Sequence, residues 1–186
     1  MQAKVGSAMR WKSAARYIAK GALFVVLSLV FAVALFHFMF QPFQVAGLSM
    51  TPSLADRDYL LVDRVFFRST GIRRGDLVVF KIEGDPRYMV KRVVGLPGEE
   101  ISSHDGLVAV NGKLLSPPAW AGPRYPDFGP VQIPLGAYFC MGDNPKVSLD
   151  SRTFGPIKKG QIYGKPLLRY LPISRSGFLT SRETAP

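Results

Sequence analysis

The chain has 186 residues, 47% of them apolar and 20% charged, with a formal charge of +11 at neutral pH. This composition excludes a disordered or low-complexity chain and leaves room for one folded domain plus terminal segments. Its single cysteine, Cys140, excludes an intrachain disulfide, so a folded domain must be held by its core alone.

Residues 1–20 carry Lys4, Arg10, Lys12, Arg16 and Lys20 with no acidic residue among them. Residues 21–40 then run without a formal charge and are dense in Leu, Val, Ala and Phe. At about 1.5 Å rise per residue such a segment spans ~30 Å, the thickness of a bilayer's hydrocarbon core, and predicts a transmembrane helix. A cleaved secretory signal is the competing reading. It calls for a shorter apolar run and a small-residue cleavage site, whereas this run continues into Phe38, Met39, Phe40, Gln41, Pro42 and Phe43. The basic flank places the N-terminus in the cytoplasm and the rest of the chain across the membrane. Beyond those five cations the excess is about +6, spread in ones and twos such as Arg73-Arg74 and Lys158-Lys159. That pattern suits a solvated surface or one facing anionic headgroups, and no nucleic-acid partner is expected.

After the anchor, short strand-like runs separated by Gly, Pro, Asn and Asp dominate. Strands are expected at 43–45, 59–65, 76–82, 88–94, 107–110, 113–115, 137–141 and 161–168. Asn111-Gly112 marks a hairpin, since a type I′ turn needs positive φ at both central positions, and Asp105-Gly106 opens the same unit. Ser53 to Asp56 reads as a helical turn just after Pro52, with Ser49 at the lip before it. The Pro- and Gly-rich stretch 116–134 reads as an irregular excursion, and the polar tail 173–186 as loosely held. The expected fold is mainly β: small antiparallel sheets or barrels over residues 41–172, tethered by the helix at 21–40.

Two segments carry chemistry: Gly47-Leu48-Ser49-Met50-Thr51-Pro52 and Tyr88-Met89-Val90-Lys91-Arg92-Val93-Val94-Gly95. Period-two alternation puts Met89, Lys91 and Val93 on one face of a strand and Tyr88, Val90, Arg92 and Val94 on the other, both apolar enough to be buried. A buried ammonium loses hydration, so its pKa falls, and a neutral amine beside a serine hydroxyl can take that hydroxyl's proton during attack on a carbonyl. From the residues alone, the alternative that Lys91 and Arg92 form ion pairs on a half-exposed strand stays open. Cys140 lies in the apolar run Ala137-Tyr138-Phe139-Cys140-Met141 and reads as a small core residue, while His37 falls in the apolar helix and His104 beside a turn, so a Cys-His mechanism is set aside. No His or carboxylate cluster at metal-ligand spacing is present, and no metal or cofactor is expected.

Four segments in order resemble the bacterial type I signal peptidases. Ser49-Met50-Thr51-Pro52-Ser53-Leu54 is similar to the family's serine box, and Arg74-Gly75-Asp76-Leu77-Val78-Val79-Phe80 to the strand after it. Lys91-Arg92-Val93-Val94-Gly95-Leu96-Pro97-Gly98-Glu99 resembles the lysine box. Gly142-Asp143-Asn144 with Ser148-Leu149-Asp150-Ser151-Arg152-Thr153-Phe154-Gly155 resembles the last box.

The resemblance implies a membrane-bound serine endopeptidase that removes signal peptides from secreted preproteins. Ser49 would be the nucleophile, Lys91 its base, and Ser148 a hydroxyl that hydrogen-bonds the lysine amine. Asp150 with Arg152, and Asp143 with Arg92, would be supporting ion pairs. The backbone N–H of Ser49 would help hold the oxyanion. Where some relatives have a serine hydroxyl for the same task this chain has Gly47, leaving a backbone N–H near Gly47 or a water as the second donor. Phe43, Gln44 and Val45 with Tyr88, Met89 and Val90 would wall an extended peptide groove. Val45, Met50 and Val90 would line pockets for small residues at the first and third positions before the scissile bond. Pro145-Lys146-Val147 departs from the family pattern, and the short interval between the lysine box and Gly142 implies a reduced second β-subdomain over about 99–136.

The resemblance further implies a monomer in the bacterial cytoplasmic membrane, its catalytic domain on the outer face. Two other readings remain: a specialised peptidase of the same family that matures a pilin or conjugation protein, and a tethered β-domain that binds peptides without cutting them.

Overall fold

The computed structural model describes residues 3–115 and 125–179, with side chains from residue 16 onward. The chain divides at Met39 into a helical unit and a β unit. Helix α1, Ala3–Met39, contains an apolar stretch, Arg16–Met39, of 24 residues and mean hydropathy 2.6, whose most apolar window has no buried residue. It is long and apolar enough to cross a bilayer. It stops as the chain nears Pro42, which cannot continue a helix but is tolerated on the edge strand that follows.

The β unit begins with β1 (Phe40–Gln44) and β2 (Tyr59–Asp63), then a four-residue helix α2 (Phe67–Thr70). Next come β3 (Leu77–Lys81), β4 (Tyr88–Gly95), β5 (Glu100–His104), β6 (Leu107–Val110), β7 (Lys113–Leu114) and β8 (Phe128–Gln132). It closes with β9 (Ala137–Met141), helix α3 (Ser151–Phe154), β10 (Ile157–Lys158), β11 (Ile162–Leu171) and β12 (Gly177–Phe178). The larger sheet runs β1-β2-β11-β3-β4-β9-β10, with β12 also on β11; the smaller runs β7-β6-β5-β8. The fold is therefore mainly β, with antiparallel pairing throughout.

The large sheet curls. β1 and β4 are separated by three strands, yet Phe43 and Tyr88 meet with ring centroids 5.3 Å apart, and Tyr163 on β11 touches both at 5.5 and 4.8 Å. The curl encloses a core of Val45, Met50, Leu54, Leu60, Val62, Leu77 and Val79. A second cluster, including Val78, Phe80, Val93 and Cys140, lies against β3, β4 and β9. A third, centred on Ile101, Ile133 and Phe139, joins the two sheets.

Both Asp105-Gly106 and Asn111-Gly112 take positive φ at each position, 50° and 81°, then 51° and 74°, but they close two successive hairpins rather than one. The excursion expected at 116–134 contains β8, paired to β5, while 116–124 lie outside the described residues. The segment after Pro172, whose polarity marks it as a loose tail, supplies β12 and Arg175, whose guanidinium bonds buried Asp58 at 2.6 Å. Residues 180–186 lie outside the described residues.

Candidate active site

Ser49 sits in a loop, 45–58, closed at its neck by two backbone bonds, Val45 N–H to the Asp58 carbonyl at 2.8 Å and Arg57 N–H to the Val45 carbonyl at 2.9 Å. Met50 and Leu54 anchor the loop in the core, and the Leu54 N–H donates to the Met50 carbonyl at 2.8 Å. The helical turn thus begins at Met50, before Pro52 rather than after it. Asp58, fully buried, accepts bonds from Arg169 and Arg175, and Arg169 also reaches the Ser53 carbonyl at 3.0 Å. The loop is therefore held from inside by packing and from outside by two cations of the C-terminal strand region.

Lys91 lies mid-strand on β4, opposite Val78 of β3, and only 5% of its surface is exposed. Its Nζ donates to Ser49 Oγ at 2.6 Å. Burial pushes the amine's pKa down from 10.5 to about 8, even though Asp150 and Asp143 draw it upward. The mechanism is desolvation of the charged form, outweighing two carboxylates that are themselves neutralised by arginines. At neutral pH roughly one-tenth of the lysine is then an unprotonated base, against under a thousandth for an exposed lysine.

Those arginines form tight pairs. Arg92 donates Nε to Asp143 Oδ1 at 2.8 Å and a terminal nitrogen to Oδ2 at 2.6 Å, with both side chains shut off from solvent. It also donates to the Gly75 carbonyl at 2.8 Å and to Ser53 Oγ at 3.1 Å. Arg152 holds Asp150 through two bonds of 2.8 Å, while Asp150 also accepts the Gly142 N–H at 2.9 Å. Gly142 has no room for a side chain: a Cβ there would stand 2.6 Å from Ser148 Cβ and 2.6 Å from the Ser49 carbonyl oxygen.

Three expectations change. Ser148 Oγ is buried but has no hydrogen-bond partner among the described residues, so the bond to the lysine amine is not formed; the amine donates to Ser49 Oγ instead. Met50, expected to line a substrate pocket, is 1% exposed and belongs to the core, its side chain turned inward by the same loop that presents Ser49. The N–H of Gly47 is unavailable to an oxyanion because it donates to Asp56 Oδ1 at 2.8 Å. The N–H groups of Leu48 and Ser49 have no acceptor among the described residues.

A cleft of about 750 Å³ runs beside the pair, lined on one side by Phe43, Val45 and Gly47 and on the other by Tyr88, Met89 and Val90. Both walls offer unpaired strand edges. Among the described residues β1 pairs only with β2, and β4 pairs with β3 along 88–92 but with β9 only from Arg92 onward. Tyr88 to Lys91 therefore keep one edge open.

Residues without an expected role also converge here. The Asn144 backbone N–H donates to the Ser49 carbonyl at 3.0 Å, and its side-chain amide donates to the Leu48 carbonyl at 3.2 Å and Thr51 Oγ1 at 3.1 Å. Tyr125 donates its hydroxyl to the Gly142 carbonyl at 3.1 Å, with the Arg152 guanidinium 5.4 Å above its ring. Asn144 belongs to the Gly142-Asp143-Asn144 motif, so its position was visible in the sequence; Tyr125 carried no local signal. Cys140 is fully buried, and burial raises its thiol pKa, in keeping with a packing residue.

Residues 18–171 match the family described as signal peptidase, peptidase S26. The chain is 34% identical to signal peptidase I T of Bacillus subtilis over 161 residues, covering 81% of this chain and 83% of that one. It is 38% identical to signal peptidase I V of the same organism over 153 residues, 75% and 90% of the two chains. It is 32% identical to the probable signal peptidase I-2 of Synechocystis sp., over 84% and 74%. A solved signal peptidase I from Enterococcus faecalis is similar at 29% identity, over 51% of this chain and 96% of that one, with a TM-score of 0.47. The chain belongs to the signal peptidase family, peptidase S26.

Proposed function

We propose that this chain removes signal peptides from secreted preproteins through an acyl-enzyme formed on Ser49, with Lys91 as general base. The observation that carries the reading is a single one: a buried amine with its pKa lowered to about 8 stands 2.6 Å from a serine oxygen in the lining of an open-edged cleft. A binding module has no use for such a pair.

In the first half-reaction the neutral amine of Lys91 takes the Ser49 hydroxyl proton as Oγ bonds to the substrate carbonyl carbon. The N–H of Ser49, with that of Leu48 as the adjacent unengaged donor, faces the developing oxyanion. The ammonium then returns the proton to the departing amine as the C–N bond breaks. In the second half Lys91 takes a proton from water, hydroxide adds to the ester, and the C–Oγ bond breaks with return of that proton to Ser49. Ser148 Oγ supports the cycle by turning to accept an N–H of the neutral amine, aiming its lone pair at Ser49. Arg92 with Asp143 and Arg152 with Asp150 hold the frame around the lysine.

The signal peptide adds as a strand along the open edge of Tyr88, Met89 and Val90, facing Phe43 and Val45, with its last residue's carbonyl at Ser49. Helix α1 serves as a single-pass anchor in the bacterial cytoplasmic membrane. The five basic residues before residue 21 hold the N-terminus in the cytoplasm, so the β unit works on the outer face. Labelling with a serine-directed acylating inhibitor, followed by peptide mapping, tests the site: the adduct belongs on Ser49, and modification elsewhere with Ser49 untouched refutes the assignment.

A further inference from the structure

Three aliphatic side chains stand exposed around Ser49 where a folded protein gains nothing by showing them. Leu48 is 56% exposed, Val147 57% and Leu149 48%, and all three line the same cleft as Ser49 and Lys91. They come from two loops far apart in sequence, joined by Asn144, whose backbone N–H holds the Ser49 carbonyl and whose amide holds the Leu48 carbonyl. The second loop is itself fixed, because Arg152 donates to the carbonyls of Pro145 and Ser148 at 3.3 Å each while gripping Asp150.

Their place along the cleft follows from strand pairing. β9 pairs with β4 up to Met141 opposite Arg92, then turns away as the loop that carries Val147 and Leu149. That loop therefore closes the open edge of Tyr88 to Lys91 at its lysine end. A peptide laid on that edge with its scissile carbonyl at Ser49 has its upstream residues beside 88–90 and its downstream residues at the aliphatic lip. Successive residues of an extended chain advance about 3.3–3.6 Å, so only the first one or two downstream side chains reach it.

We infer that Leu48, Val147 and Leu149 form a binding site for the first two residues of the mature protein and give this enzyme a preference for apolar side chains there. The inference rests on the Ser49–Lys91 reading and adds a second determinant of cleavage, downstream of the bond. It also has a kinetic signature. The downstream segment leaves when the acyl-enzyme forms, so the lip acts on acylation and cannot influence deacylation.

The test uses the full chain in mild detergent and preprotein-like peptides that share one signal sequence but carry Leu or Gln at each of the first two mature positions. Leu and Gln are similar in length and both uncharged, which removes charge as a variable. The expected result is a kcat/KM ratio of about tenfold in favour of Leu at one or both positions, with equal deacylation rates for all peptides in single-turnover chases. In the Val147→Thr, Leu149→Asn double variant the ratio falls below about twofold, mainly through slower acylation by the Leu peptides. Both positions are exposed, so the fold is expected to tolerate the change. A wild-type ratio within twofold, or a ratio that survives the double substitution, overturns the inference while leaving the Ser49–Lys91 reading intact. Failure of the wild-type protein to cut any of the peptides overturns both.

Discussion

Lys91 Nζ lies 2.6 Å from Ser49 Oγ although 42 positions of sequence separate the two residues. Because burial holds the amine's pKa at about 8, the working form is the minority below that pH and the majority above it. kcat/KM should climb about tenfold per unit at acid pH and level off near 8 to 9, following one deprotonation. Lys91→Arg keeps a cation that cannot lose its proton, and with Ser49→Ala it should lower kcat by at least about a thousandfold without unfolding the domain. A flat profile between pH 6 and 9 would remove the lysine from the proton-transfer step.

The same desolvation sets a cost to stability. The folded state holds the Lys91 proton less tightly than the unfolded state does, so between pH 8 and 10.5 the unfolded chain binds more protons and stability rises with pH. Below pH 8 the penalty is fully present, and 2.5 units of depression correspond to about 3 kcal/mol. Lys91→Met, of similar volume and uncharged, should therefore be inactive yet more stable at pH 6, by up to that amount. The difference from the parent should shrink as pH approaches 10. Denaturant unfolding at several pH values measures it, and a variant less stable than the parent at pH 6 contradicts the account.

Much of this site was legible because its signals were local. An apolar strand interrupted by Lys91 and Arg92 points to cations on buried faces, although ion pairs on a half-exposed strand fitted the same residues, and the Asp-Gly and Asn-Gly pairs announce tight turns. β5 was not anticipated because Glu-Ile-Ser-Ser-His carries a single large aliphatic residue, and β8 because Gly129-Pro130 reads as a break; β5 is held between β6 and β8, and β8 by its pairing to β5. Cleft closure was out of reach for another reason. The approach of Phe43 to Tyr88 depends on curvature accumulated over five strands, a property no single segment holds. Long-range clamps are equally hidden: Asp58 meets Arg169 and Arg175 across 111 and 117 positions.

The Arg92–Asp143 pair is wholly enclosed, so its two charges depend on each other. Asp143→Ala leaves a guanidinium in the interior without its carboxylate, while its bonds to the Gly75 carbonyl and Ser53 hydroxyl remain, and should cost about 3–5 kcal/mol. Arg92→Met combined with Asp143→Leu removes both charges and should recover most of that loss. Unfolding of the two variants and the parent forms the comparison. Equal destabilisation of single and double variants would show that the pair's packing, rather than its charge balance, is what the domain needs.

Asn144 offers a separate test of whether the serine loop must be held still. Its amide bonds to the Leu48 carbonyl and to Thr51 Oγ1, bracketing Ser49 on both sides. Asn144→Ala removes those bonds but keeps the backbone bond to the Ser49 carbonyl, since that uses the peptide N–H. Stability should fall by about 1–2 kcal/mol. If the bracket positions the nucleophile, kcat should fall about tenfold with KM changed less than twofold, because loss of alignment weakens attack more than peptide binding. Asn144→Asp retains the size but turns a donor toward the Leu48 carbonyl into an acceptor, so repulsion should make it the slower of the two. Retention of more than half the parent kcat in both variants would assign Asn144 to folding alone.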